Sequence, residues 1–271
     1  MRKAMLVTGG TVGSGFAVAE RYAREGYDIF ITSREGERAR KAADIVAEKY
    51  GVFAKGYSLD IRNESAVINI FCDIDSLERL VETVVLNSAD MGFGTDPAKG
   101  MDFFTVPVEE FQRVFDTNLV WNFMIVRQAA IRMKKWHKGS IVFISSNTAY
   151  RAIPNRSAYC ASKGGIISMA KAFAVDLGTY GIRCNVVVPG TIKTERWVQM
   201  KSKQIVDGTL TPIGDISDFE DIANAAWYLG SDESKNVTGA EIIVDGGMSC
   251  QLYPQIIYEL KGKKEDKKYE K

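Results

Sequence analysis

Thr8-Gly9-Gly10-Thr11-Val12-Gly13-Ser14-Gly15 follows an apolar, β-branched run from Ala4 to Thr8 and opens an amphipathic stretch from about Ser14 to Glu25. Glycines at such a point permit positive φ and let backbone N–H groups approach a pyrophosphate, while a helix N-terminus adds donors and a favourable dipole. A glycine-rich turn alone says little; its place after the first strand of a βαβ pattern is what counts. That pattern continues outward from it. Strands fit Asp28 to Thr32, Val52 to Tyr57, Thr83 to Leu86, Ser140 to Ser145, Arg183 to Val188 and Glu241 to Val244. Helical patterns run from Glu37 to Tyr50, Ser65 to Asp73, Val108 to Lys135, Ser157 to Tyr180 and Asp218 to Leu229. Apolar strands separated by helices, without hairpin signals, predict a mostly parallel sheet covered on both faces. Right-handed crossovers make it a doubly wound, Rossmann-type α/β sheet of about seven strands. Residues 1–250 read as one domain holding cofactor and catalytic sites, and 251–271 as a C-terminal extension with a charged, flexible end.

Composition excludes more than it selects. The 271 residues are 46% hydrophobic, enough for one substantial core. Thirty-five basic against thirty-four acidic residues give a net charge of +1, which offers no reason to expect a nucleic-acid or membrane partner. The four cysteines, Cys72, Cys160, Cys184 and Cys250, lack paired spacing, so neither a zinc site nor a disulfide framework follows. They are expected to be small buried side chains in a protein of the reducing cytoplasm. The start of the chain has too short an apolar stretch for a signal-peptide core. A single histidine, His137, rules out a multi-histidine metal site and is expected near a helix end.

Catalytic chemistry concentrates in Tyr159-Cys160-Ala161-Ser162-Lys163, where positions i and i+4 share a helical face. A phenol near its usual pKa of about 10 is a poor base, and a nearby ammonium favours its ionised form. Ser146 lies 159 − 146 = 13 residues earlier, at the end of a strand on the same sheet edge, where its hydroxyl can hold a substrate oxygen. Asn118 falls inside a long helical stretch, where asparagine marks either a local purpose or a solvated position. About 20 residues beyond the glycine turn, Ser33 and Arg34 stand where an acidic residue would bind a ribose hydroxyl. They offer a hydroxyl and a guanidinium suited to a 2′-phosphate, unless Arg34 is merely solvated. Long segments follow two strand ends, Asp90 to Pro107 and Thr191 to Gly214. Their Phe93, Phe103, Phe104, Trp197 and Met200 either line an apolar substrate site or anchor the loops.

Taken together over roughly the first 247 residues, these marks resemble the compact single-domain branch of the short-chain dehydrogenase/reductase family. The resemblance implies a nicotinamide-dependent oxidoreductase interconverting a ketone and a secondary alcohol. Tyr159 is then the acid/base, and Lys163 lowers its pKa and binds the ribose. Ser146 orients the substrate oxygen, and Asn118 holds a water in a proton relay. The implied cofactor contacts are Gly9, Thr11, Gly13, Ser14, Gly15, Ser33, Arg34, Asp60, Ile61, Asn87, Ser88 and Ala89. Tyr159, Lys163, Ile192 and Thr194 complete them, and Ser33-Arg34 favours NADP(H) over NAD(H). Val12, where many NADP(H) members carry a basic residue, gives no support. One departure stands out. The family's Asn-Asn-Ala-Gly is here Asn87-Ser88-Ala89-Asp90, which questions the usual backbone path and sets a carboxylate near the site, turned to solvent or selecting against anions.

The substrate is expected to be small, with a hydroxysteroid or similar hydrophobic ketone first and a 3-oxoacyl thioester or sugar as alternatives. A catalytically silent dinucleotide sensor is the reading from another class. Apolar residues on several faces of the two long helices, among them Trp121, Phe123, Ile125, Ile131, Ile166, Ile167, Met169 and Phe173, predict a subunit interface, and the resemblance implies a homotetramer. The segment Leu252 to Tyr258 is expected to pack on a neighbour or flank the site mouth.

Overall fold

A strand buried on both faces needs apolar side chains pointing both ways, and β1 (Arg2–Thr8) has them. Met5 and Val7 enter one core layer while Ala4 and Leu6 enter the other. The computed structural model describes residues 2–60, 62–92, 101–194 and 210–252. Within them, β2 (Asp28–Ser33), β3 (Ala54–Ser58), β4 (Arg79–Leu86), β5 (Gly139–Ile144), β6 (Ile182–Pro189) and β7 (Glu241–Val244) join β1 in a seven-stranded sheet of order β3-β2-β1-β4-β5-β6-β7. Every pairing is parallel. The order reverses between β1 and β4, so the loops after them diverge and leave a crevice at the carboxyl edge.

Helices α1 (Gly13–Arg24), α2 (Gly36–Tyr50) and α7 (Phe219–Gly230) cover one face, packing Val18, Tyr22, Val46 and Leu229 against Met5, Val7 and Ile31. On the other face, α3 (Glu64–Ser76), α5 (Trp121–Trp136) and α6 (Ser157–Gly178) set Phe71, Ile125 and Ile166 against Leu6, Val84 and Phe143. No helix among the described residues is long and apolar enough to cross a membrane.

Four expectations need correction. The predicted helix from Val108 to Lys135 is interrupted: α4 (Val108–Phe115) runs into a π-helical turn, Asp116–Val120, before α5 begins. The widened turn brings the buried Asn118 inward, where its side chain has polar partners. Strand β5 ends at Ile144, before Ser145. Of the apolar residues assigned to an interface, Ile125, Ile166 and Ile167 face the protein's own core, whereas Phe123 and Ile131 are exposed. Only Cys184 is a buried cysteine, its thiol pushed up to about 12 by burial; Cys72 and Cys250 are exposed on α3 and on a closing 3₁₀ turn, and Cys160 is half-buried. His137 does end a helix, closing α5 in a left-handed conformation at φ 48°.

Candidate active site

The glycine turn is anchored from both sides. Gly9 adopts φ 65°, and its amide reaches the Thr32 carbonyl of β2 at 2.9 Å. From β4, Asn87 Nδ2 donates to the carbonyls of Thr8 and Gly9, both at 3.2 Å. The buried Thr8 hydroxyl accepts the amides of Asn87 and Ser88 at 3.0 Å each, a contribution from a residue outside the sequence-derived set. Gly15 is required by space, since a Cβ there would lie 2.4 Å from the Gly9 carbonyl oxygen. Helix α1 starts at Gly13, with Val12 before it offering no side-chain cap, and no acidic residue occupies its first turn. Its leading N–H groups, with Gly13 and Ser14 among them and Thr11 just before, therefore suit an anion. These residues fit a dinucleotide pyrophosphate.

At the next strand ends, Ser33 and Ser58 are register partners, which places Arg34 beside Asp60. Arg34 is exposed. The Asp60 carboxylate is gripped by Arg62 through Nε at 2.9 Å and Nη2 at 2.6 Å, so Arg62, with Arg34 adding to it, holds its pKa below the usual carboxylate range. Ile61 lies outside the described residues. Beyond β6, Ile192 packs on the core and bridges to Ser217, while the Thr194 amide turns back to the Ile192 carbonyl at 2.8 Å. Phe93, Trp197, Met200 and the tail beyond Leu252 also fall outside the described residues.

The catalytic candidates do converge. Ser146, just past β5, lies close enough to the Tyr159 phenol of α6 to favour its ionised form. Lys163 Nζ lies 5.6 Å from the Tyr159 ring centroid and donates to the Ile144 carbonyl at 2.8 Å. Electrostatics here differ from the sequence expectation. Burial pushes the Tyr159 phenol up to about 12, with Ser146 partly offsetting it, and burial brings the Lys163 ammonium down to about 7. Both groups lose water without gaining an opposite charge, so desolvation outweighs the mutual help expected of the pair. Near neutrality the phenol keeps its proton.

The Asn118 side chain is already engaged by protein groups. Its Oδ1 accepts the Asp90 amide at 2.7 Å, and its Nδ2 donates to the Asp90 carbonyl at 3.0 Å and to Ser162 Oγ at 2.9 Å. Ser162 Oγ donates onward to the Tyr159 carbonyl at 2.8 Å. The half-buried segment Asn87-Ser88-Ala89 leads into this clamp. Asp90 is not turned to solvent: it pairs with Arg113 of α4, which also holds Glu110 at 2.8 Å. Neither Arg113 nor Ser162 carries a sequence signal, because both act through contacts across distant segments.

A family model described as Enoyl-(Acyl carrier protein) reductase matches residues 10–249. The 3-oxoacyl-[acyl-carrier-protein] reductase FabG of Aquifex aeolicus is 31% identical over 252 residues, covering 91% of this chain and 97% of the relative. The NADP-dependent (R)-specific alcohol dehydrogenase of Lentilactobacillus kefiri is 35% identical over 254 residues, covering 92% and 97%. Among solved structures, an NAD+-bound xylitol dehydrogenase superposes with a TM-score of 0.81 at 28% identity, covering 90% of this chain and 98% of its own.

Proposed function

The chain belongs to the short-chain dehydrogenase/reductase family of NAD(P)-dependent oxidoreductases, and on that premise we propose that it interconverts a ketone and a secondary alcohol, with Tyr159 moving the proton. The observation that carries this reading is the convergence of Ser146, the buried Tyr159 and Lys163, whose ammonium lies 5.6 Å from the Tyr159 ring, at the sheet edge that also bears the glycine turn. A bound nicotinamide supplies or accepts the hydride. Ser146 holds the substrate oxygen, and the protonated Tyr159 hands that oxygen its proton as charge develops. Lys163 binds the ribose and offsets the phenolate left behind. Asn118 makes three side-chain hydrogen bonds, which leaves one lone pair on Oδ1 to hold a relay water.

NADP(H) is the favoured cofactor. Arg34 is exposed beside the 2′-position, and the charge of nearby Asp60 is offset by Arg62. The substrate is a hydrophobic ketone of hydroxysteroid type, as the exposed Phe103 and Phe104, packed edge to face at 5.6 Å, suggest an apolar mouth. A 3-oxoacyl thioester is the second reading, favoured by the Aquifex relative. We place the enzyme in the cytoplasm as a homotetramer. An apolar groove of about 300 Å³ between α5 and α6, lined by Phe123, Ile131, Phe173 and Tyr180, supports assembly through that face. The test is a panel of steroid, acyl-thioester and sugar ketones followed by NADPH and NADH absorbance. Turnover of the steroid ketones with NADPH is the expected result. Silence across the panel, with the dinucleotide still bound, would mean a sensor rather than an enzyme.

A further inference from the structure

In the family pattern a glycine follows Asn-x-Ala, and here Asp90 takes its place and uses both carboxylate oxygens. Oδ1 accepts the Gly92 amide at 2.9 Å, closing a tight turn, and Oδ2 pairs with Arg113 Nη1. The carboxylate is largely buried, with 14% of the side chain exposed. A glycine could make neither contact. The turn it closes passes beside the proposed acid, because a Cβ on Gly92, itself at φ 62°, would lie 3.3 Å from Tyr159 Cβ. Arg156 Nη1 holds the Gly92 carbonyl at 3.3 Å. The backbone of Asp90 is bonded both ways to Asn118, whose second amide hydrogen goes to Ser162. Ser162 passes the connection to the Tyr159 carbonyl.

We propose that the Asp90–Arg113 ion pair is a positioning device, absent from the family pattern, that fixes the 90–92 turn and through it the register of Tyr159 against the substrate oxygen. Neither residue touches the reacting atoms; each acts through the turn and through Asn118. The pair takes over the ordering of a loop that a glycine would leave free in backbone conformation. It rests on the proposed role of Tyr159, so its test has one arm that needs no turnover.

The variants are Arg113→Met, Arg113→Lys, Asp90→Asn and the double Asp90→Asn/Arg113→Met. In the cofactor-free protein, amide hydrogen exchange at Asp90 and Gly92 should quicken in Arg113→Met and return toward the parent in Arg113→Lys. In the active enzyme, Arg113→Met and Asp90→Asn should each lower kcat about ten- to a hundredfold, the scale of a misplaced reacting group. The cofactor KM should stay within about twofold. The double variant should be no worse than the worse single, since both remove one interaction. Unchanged exchange in Arg113→Met overturns the proposal, as does a parent-like kcat or an additive double variant. If the parent turns over no ketone, the functional reading fails by itself, and the exchange arm still decides whether the pair orders the turn.

Discussion

Lys163 is 3% exposed, and its ammonium meets the Ile144 carbonyl in place of water. With a folded pKa of about 7 against about 10.4 for a free lysine, the unfolded chain holds a proton that the folded one has released between those pH values. Unfolding free energy therefore rises with pH across that window, and the burial penalty is felt in full at and below pH 7. Lys163→Met removes the penalty. It should stabilise the cofactor-free protein by about 1–4 kcal/mol at pH 7, with the advantage shrinking toward pH 10, while abolishing turnover. Denaturant melts of both proteins at the two pH values check this, and identical curves would contradict it. Tyr159→Phe keeps the buried ring and removes the proton donor. Turnover should fall about a hundred- to ten-thousandfold with cofactor affinity kept, measured by steady-state kinetics and dinucleotide titration. A correctly folded variant at the parent rate would reject Tyr159 as the acid.

Among the elements, the turn from β1 into α1 tolerates least. Gly15→Ala would drive a methyl to 2.4 Å from the Gly9 carbonyl and 2.6 Å from Asn87 Nδ2. Because backbone must yield, a loss of about 1–3 kcal/mol is expected. Dinucleotide affinity should fall with it, as titration and a thermal melt can show; unchanged values for both would mean the turn has slack. The strands other than β3 were legible because each carries its own apolar run, whereas β3 is Ala54-Lys55-Gly56-Tyr57-Ser58 with no buried residue. The beginning of β4 was not, since Arg79 and Glu82 interrupt that run, and only the fold reveals Asp28 beside the first and the Tyr27 hydroxyl on the second. The π turn was hidden because a hydrophobic stripe reads alike through one extra residue in a turn. Tyr159, Lys163 and Ser146 were legible through local spacing. The Asp90–Arg113 pair spans two elements and leaves no spacing to read.

For the whole molecule, the α5–α6 face remains the best candidate for self-association, with Phe123 43% and Ile131 50% exposed and Phe173 packed 6.0 Å from Phe123. Ile131→Glu should shift the assembly toward smaller species in light scattering at micromolar concentration, because a charge buried in an apolar contact is poorly solvated. A parent that is already monomeric removes the tetramer. The strand order has a further consequence for how the chain is made. Of the seven strands Arg2–Thr8 is made first, yet one edge of it waits for Arg79–Leu86 to emerge from the ribosome. Until then a nascent chain carries β1 with its N–H and C=O groups unpaired on that side and Met5, Leu6 and Val7 only partly covered. Such long-range parallel pairing is slow and exposes the intermediate to aggregation. A fragment ending before β4 should therefore precipitate on expression, and the same central position that shelters the glycine turn in the finished protein makes its strand the most vulnerable part of the unfinished one.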